Sequence, residues 1–547
     1  MKMKIVFILL SFFFVLLSFS PTIYEVFSQS QLSSDREFVP EHNYMFDYNF
    51  YLSRIRQGQE GRWLVSEKYT SEPHQGSLLQ IFYLYIGKIG GVIGLSPPVI
   101  YHLSRVLLGI ILLIIVAYYV QKLFKGIWAI IAYFLVVTAG SFPILLWING
   151  LPRFGTYMGW WSVIDSLQRI TFIPHILLGQ IGLVLFVWGL GNNKSFKSLK
   201  LFIWGLVGFV VGIVFPPVLI TIYMIFVVLS VIEILGGNKS FQGLVPRLVF
   251  FLFSLPALIY MQLIFKIPPW SALPLFDINH RSILPYKDYI LALGPVFWIG
   301  ILGLFLAIKN RESKMYPLVS WVVSIFVLFF VFERVPEQSP TRFTEMAINI
   351  PLGILAGYFF WVLWRVRQMA EGRWGKRGLV AVISGVILMG LLVMISMVGW
   401  LTDGVKGKRN STWLVPTGVQ LVYPLKNFMR GIYFLRDKTQ RGSVVFSYET
   451  AGNYIPAYAG NFVYLGHANT PQEDLKKSTA MRFFRAEMGI DEARSFMINN
   501  HISYIYFGPQ EREIGGINDL ASRYTFLHAI YSNSKVVIYG ATLKYIK

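Results

Sequence analysis

Eight carboxylates fall between residues 21 and 100: Glu25, Asp35, Glu37, Glu41, Asp47, Glu60, Glu67 and Glu72. Around one of them the chain reads HNYMFDYNFYLSRIRQGQEGRW, a pattern in which Tyr51, Leu52 and Ile55 make one apolar face of a short helix lying on a membrane, with Asp47 near its start. A carboxylate at a helix N-terminus is held in its charged form by the backbone dipole. It is then available to a ligand, or it is simply a capping acid. Six arginines, Arg105, Arg153, Arg169, Arg281, Arg334 and Arg342, lie at the ends of apolar runs or in the loops between them. A planar guanidinium makes two parallel charge-assisted bonds to a phosphate, and the structural alternative is snorkelling to lipid headgroups. His175 in TFIPHILLGQ, and Glu72 with His74 in YTSEPHQG, are of a type to hydrogen-bond sugar or phosphate, or to be satisfied by loop carbonyls. The eight histidines show no HExxH or clustered ligand spacing, there is no cysteine, and neither a P-loop nor a dinucleotide fingerprint appears, so no metal site is assigned.

These residues must be positioned by membrane elements. The 547 residues are 55% hydrophobic and 14% charged, with a mean hydropathy of +0.54. That is far fewer charges than the roughly one quarter of a soluble protein. Lys2 and Lys4 precede an apolar run from Ile5 to Phe19, which reads as an uncleaved first span with a cleaved signal peptide as its rival. Further spans are predicted at 101–121, 127–147, 173–190, 199–215, 217–235, 248–266, 289–308, 316–332, 343–364 and 379–401, about eleven in all. Segment 78–95 carries Lys88 and four glycines and is read as an interfacial helix that does not cross.

Charge supports that reading. The N-terminus and the loops on its side hold 17 basic residues, among them Lys122, Lys194, Lys197, Lys239, Lys314 and Arg377, against Glu312 and Glu371 alone. The opposite loops, 21–100, 148–172, 267–288 and 333–342, hold 12 basic and 13 acidic residues. The positive-inside rule then places the N-terminus in the cytoplasm and the long first loop outside. The net charge of +21 is thereby mostly a topology signal, and nucleic acid is not an expected partner.

Residues 1–401 read as a transmembrane domain that includes the first outer loop 21–100, and residues 402–547 as a separate extracytoplasmic α/β domain. The second region has β-rich runs at 443–447, 461–466, 502–508 and 535–540, with helix-like stretches at 472–487 and 491–500.

A first span, a large acidic outer loop with interfacial helices, many further spans and an outer α/β domain resemble the GT-C glycosyltransferases, such as protein O-mannosyltransferases, aminoarabinose transferases and oligosaccharyltransferases. The matching pieces are Asp47, the segment SPPVIYHLSRVLLG (96–109) with Arg105, and SPTRFTEMAINIPLGILAG (339–357) with Arg342. The resemblance implies an α-helical polytopic GT-C-like enzyme of a bacterial plasma (inner) membrane. Such an enzyme moves a sugar from a polyprenyl-phosphate donor to a glycan, lipid or protein acceptor at the outer face. It implies that Asp47 is the general base, the role falling to Glu41 or Glu72 if Asp47 does not carry it; by side-chain chemistry, Arg105, Arg169, His175, Arg342, Glu41, Glu72 and His74 are the candidate substrate-binding residues. Asp35-Arg36-Glu37 matches the acid-x-acid triplet by which some members hold a divalent metal. The WWDYG signature is absent; Trp160-Trp161 with Asp165 lacks its spacing, which argues against peptide-asparagine glycosylation. The competing readings are a flippase or transporter of a lipid-linked saccharide and a non-catalytic assembly protein. Against a transporter, no internal repeat is visible, and Pro216 and Pro217 fall at a turn.

Overall fold

The computed structural model describes residues 2–148, 150–192, 198–236, 243–369 and 373–542. The first half of the chain forms α1 (Lys2–Phe27), α2 (Met45–Gln59), α3 (Ile81–Val92), α4 (Pro97–Leu123) and α5 (Ile127–Val137), then the hairpin β1 (Ile144–Ile148) and β2 (Leu151–Gly155). There follow α6 (Pro174–Asn192), α7 (Ser198–Val214), α8 (Pro216–Leu235), α9 (Leu244–Ile264) and α10 (Ala272–Asn279). Next come α11 (Tyr286–Lys309), α12 (Tyr316–Phe332), α13 (Asn349–Met369) and α14 (Arg373–Asn410). The remainder is α15 (Lys426–Lys438), β3 (Val444–Phe446), α16 (Glu449–Tyr458), β4 (Phe462–Val463), α17 (Glu473–Phe484), α18 (Ile490–Asn499), β5 (Ile502–Phe507), α19 (Pro509–Gly515), β6 (Leu527–Ser532) and β7 (Val537–Ala541).

Nine helices among the described residues are long and apolar enough to cross a membrane: α1, α4, α6, α8, α9 and α11 to α14; α3, α5 and α7 are shorter apolar helices. The chain is therefore a polytopic, multi-pass membrane protein. The predicted span 127–147 is not a single helix. At 1.5 Å per residue, α5 with its 11 residues reaches only about 16 Å, short of the ~30 Å hydrocarbon core. It stops at Thr138, whose hydroxyl donates back to the Phe134 carbonyl at 2.8 Å. Pro143 then lacks an amide to continue a helix, and the apolar run after it pairs as the antiparallel hairpin. The start of the span predicted at 343 also moves. Residues Pro340–Glu345 form a 3-10 turn and the helix begins at Asn349. Lys194, Lys197, Lys239 and Glu371 lie outside the described residues.

By internal contacts the chain divides into two units. The first comprises residues 1–21, 103–261 and 277–402. Its helices meet through small residues, as apolar helices do where lipid supplies no hydrophobic drive. Gly300 and Gly303 of α11 lie against the Leu352 and Leu355 backbone of α13, and Gly353 of α13 lies against Val136 of α5. Helix α11 bends at Gly294, whose φ of +63° and 2.0 Å clearance from the Gly140 carbonyl, measured from a notional Cβ, admit no side chain.

The second unit comprises residues 22–102, 262–276 and 403–547. Its sheet has the order β4-β3-β5-β7-β6, with β3 parallel to both neighbours and β7 antiparallel to its own. Alternation along the strands divides the core into two layers. Val445, Tyr506 and Ile538 face α15 and α16, whereas Val444, Phe446, Ile505, Phe507 and Tyr539 face α17 and α18. The first loop joins this unit: Met45, Phe50 and Tyr69 sit in the α15–α16 layer. The apolar face of α2 is covered by protein, with Leu52 and Ile55 packed against Tyr83, Tyr101 and Ala457. Helices α2 and α3 touch backbone to backbone; a Cβ on Gly58 would lie 1.9 Å from the Leu84 oxygen and one on Gly87 2.1 Å from the Ile55 oxygen.

Candidate active site

Asp47 occupies the first turn of α2, three residues after the extended Tyr44 that precedes the helix. The side chain is 46% exposed, and its Oδ1 lies 3.3 Å from Nε2 of His467, which is 5% exposed. The His467 ring stacks on Phe50, one turn along α2, with centroids 4.4 Å apart. Its Nδ1 accepts the Asn469 amide at 3.1 Å. Phe50 also carries the guanidinium of Arg54 at 3.6 Å, and Arg54 donates to Glu67 at 2.6 Å. The start of α2 is clamped to α16: Asn49 donates to the Asn453 side chain at 2.7 Å, and Asn453 returns a bond to the Phe46 carbonyl at 3.2 Å. Asp47 thus stands on a backbone fixed from both sides.

The other first-loop candidates are committed to partners. Glu41, 9% exposed, receives Lys408 at 2.9 Å and the Tyr454 hydroxyl at 3.0 Å. Lys408 also lies 3.3 Å from Glu25, which accepts the Tyr423 hydroxyl at 2.8 Å. His74 accepts the Glu67 amide on Nε2 at 2.8 Å, and its Nδ1 donates to the Glu72 carbonyl at 2.8 Å. With both ring nitrogens engaged, the imidazole pins the loop. The Glu72 carboxylate, 45% exposed, is paired with Lys476 at 2.7 Å.

The acid-x-acid triplet does not fit a metal. Asp35 accepts the Ser33 hydroxyl, Glu37 accepts the Tyr433 hydroxyl, and Arg36 between them donates to the carbonyls of Tyr423 and Trp413. Among the described residues no three His, Asp or Glu side chains converge as ligands.

In the other unit, Arg169 donates to the Val136 and Val137 carbonyls at 3.2 and 2.9 Å, closing the C-terminal end of α5, where a cation is favoured by the helix dipole. Burial lowers its pKa to about 10, with Asp165 opposing. Arg105, 4% exposed, donates to the Thr171 carbonyl at 2.7 Å. His175, in the first turn of α6, meets Phe215 edge-on at 5.5 Å. Arg342 differs from the other two arginines. Its side chain is 41% exposed, and its guanidinium stands 3.7 Å from Asp277 and 3.8 Å from Glu345. Burial pushes the Glu345 carboxyl up to about 7, against the pull of Arg342, and among the described residues its Oε2 has no hydrogen-bond partner.

Neither His467 nor Lys408 stands out in the sequence. Each acts on residues more than 350 positions away, and no local spacing announces such a partner.

No protein-family profile matches the chain, and no curated protein matches its sequence. Solved structures do. The oligosaccharyltransferase AglB from Archaeoglobus fulgidus, in complex with an inhibitory peptide and a dolichol-phosphate, superposes with a TM-score of 0.52 at 12% identity, over 97% of this chain and 74% of that one. ArnT from Cupriavidus metallidurans, bound to undecaprenyl phosphate, gives 0.51 at 12% identity over 97% and 99%. The arabinofuranosyltransferase AftD from Mycobacteria gives 0.53 at 14% over 97% and 40%. At these identities the likeness is one of fold, and the fold is that of the GT-C glycosyltransferases.

Proposed function

We propose that this chain is a membrane glycosyltransferase that moves a sugar from a polyprenyl-phosphate donor to an acceptor hydroxyl at the outer face of a plasma membrane. The observation that carries the reading is Asp47: a half-exposed carboxylate on a rigid helix start, oriented by a buried histidine. Two proteins of the same fold are described with a polyprenyl phosphate bound, dolichol-phosphate in AglB and undecaprenyl phosphate in ArnT. In the proposed step Asp47 takes the proton of the acceptor hydroxyl. The acceptor oxygen bonds to the anomeric carbon as the carbon–oxygen bond to phosphate breaks. The electron pair stays with the lipid phosphate, and a single displacement inverts the anomer. As a second proposal, resting on its own unit alone, Arg342, 41% exposed beside Asp277 and Glu345, is the residue that binds a lipid phosphate. With α5 and α7 both counted as crossings, the 17-to-2 charge asymmetry supports an outer-face reaction with residues 402–547 outside.

The test is turnover. Purified protein in lipid nanodiscs is given radiolabelled polyprenyl-phosphate sugars, and release of free polyprenyl phosphate is measured. A transferase releases it, whereas a flippase only moves the intact donor and an assembly protein does neither. Asp47→Asn should reduce release by about 10²–10⁴-fold, the usual contribution of a general base. Retention of more than about a tenth of turnover moves the role to Glu72, whose side chain is 45% exposed in the same loop.

A further inference from the structure

We infer that His467 is a positioning residue for Asp47, and that the pair is polarised so that only Asp47 receives the acceptor's proton. The inference rests on the reading of Asp47 as base and goes beyond it by deciding which member of the dyad does the chemistry. A neutral imidazole has one donor nitrogen and one acceptor. The Asn469 amide donates to Nδ1 at 3.1 Å, which requires a lone pair there. The ring proton is then on Nε2, directed at Asp47 Oδ1 3.3 Å away. Both nitrogens are engaged, the ring is stacked on Phe50, and the side chain is 5% exposed, so no face of it meets an incoming hydroxyl. Asp47 keeps a second oxygen and is 46% exposed.

A histidine base oriented by a carboxylate, as in a hydrolase triad, needs the opposite arrangement, with one nitrogen open to substrate. Here the imidazole donates to the Asp47 carboxylate and fixes its rotamer. In the reaction the acceptor O–H bond breaks, the proton goes to Asp47, and the acceptor oxygen attacks the anomeric carbon. Protonated Asp47 then returns the proton to water, and His467 neither gains nor loses one.

Two measurements test this. Solid-state ¹⁵N spectra of histidine-labelled protein in bilayers at pH 7 report the tautomer, with the His467 signal identified by its loss in His467→Gln. The expected spectrum has a protonated Nε2 and a bare Nδ1. A proton on Nδ1, or on both nitrogens, overturns the polarity. The second measurement is release of polyprenyl phosphate. His467→Gln retains an N–H donor near the Nε2 position and should keep at least about a third of kcat, whereas His467→Phe keeps the stack on Phe50 without a donor and should lose about 10–100-fold in kcat with donor KM little changed. In an Asp47→Asn background His467→Phe should cost nothing more, which a merely structural role would not predict. If His467→Phe is as fast as wild type, or its loss persists in Asp47→Asn, the positioning role fails while the Asp47 reading stands. If Asp47→Asn is itself fully active, the Asp47 reading fails and the spectrum still decides the tautomer. Should His467→Phe not fold, His467→Asn, which offers the Asn469 amide an acceptor but brings no donor to Asp47, takes its place.

Discussion

Replacing Arg342 separates phosphate binding from neutralisation of a buried acid. Two unit charges about 4 Å apart attract by ~1 kcal/mol in water and ~4 kcal/mol at an effective dielectric of 20. With the guanidinium 41% exposed, its pairs with Asp277 at 3.7 Å and Glu345 at 3.8 Å belong nearer the weaker limit. Glu345 itself is 4% exposed and raised to about 7 by burial. Between its ordinary value of 4.5 and about 7 the folded protein holds a proton that the unfolded chain has released. Stability therefore falls as pH rises through that window, and the loss, on the order of 3 kcal/mol, is complete above it. Arg342→Ala removes the nearest opposing charge, so its deficit in thermal stability should be larger at pH 8 than at pH 5. Glu345→Gln should stabilise the protein at pH 8 and change little at pH 5. The phosphate role has a separate readout. A lost charged hydrogen bond of roughly 1.5–3 kcal/mol weakens binding of a short-chain polyprenyl phosphate by about 10–150-fold in Arg342→Ala. The loss should be smaller but clear in Arg342→Lys, which cannot form the fork. Unfolding curves at both pH values, run beside titrations with the polyprenyl phosphate and with inorganic phosphate as control, give both numbers. If both variants bind the lipid phosphate as tightly as wild type and only the pH 8 deficit appears, Arg342 is a partner of Glu345 and the phosphate role is refuted.

Lys408→Met should destabilise the protein by about 3–5 kcal/mol, since it leaves Glu25 and Glu41 buried together without their cation; adding Glu25→Gln and Glu41→Gln should recover most of the loss in thermal unfolding. Gly87→Ala should force α2 and α3 apart and cost ~1–3 kcal/mol, with turnover falling too, whereas Gly91→Ala, whose nearest neighbours stand at an ordinary 3.4 Å, should be close to wild type in both assays. The chain has no cysteine of its own, so a cysteine placed at Lys314 should resist an impermeant thiol reagent in intact cells and one at Asn469 should react; reversed labelling would refute the outer-face placement.

Much of the fold was legible because apolar length and punctuation are local properties. Segment 78–95 contains α3, Asp47 opens a helix as its neighbours predict, and the β-rich runs at 443–447, 502–508 and 535–540 are strands β3, β5 and β7. The run 127–147 misled because hydropathy cannot distinguish a continuous helix from a short helix followed by an apolar hairpin, and Gly140 and Pro143 are the only marks of the break. Strand β6 and helices α15 and α16 escaped notice because their burial depends on layers contributed by distant segments. At the site, the acid was legible and its histidine was not. Asp47 is marked by its place in a helix, while His467 acquires its role only when the loop after β4 folds against α2. Glu41 looked equivalent to Asp47 in the sequence; only the structure shows it enclosed with Lys408.

The Glu25–Lys408 pair also imposes a rule of parity. Glu25 lies near the end of α1 and Lys408 near the end of α14, and the two side chains are 3.3 Å apart. Two membrane helices whose exits meet must leave the bilayer on the same side, so the chain between them makes an even number of crossings. The long helices among the described residues after α1 are α4, α6, α8, α9, α11, α12, α13 and α14, which is already even. Any of α3, α5 and α7 can be added to the count only in pairs. A topology that counts α5 with α7 is permitted, one that counts α3 alone is not, and a reporter fused between any two consecutive helices must agree with that arithmetic.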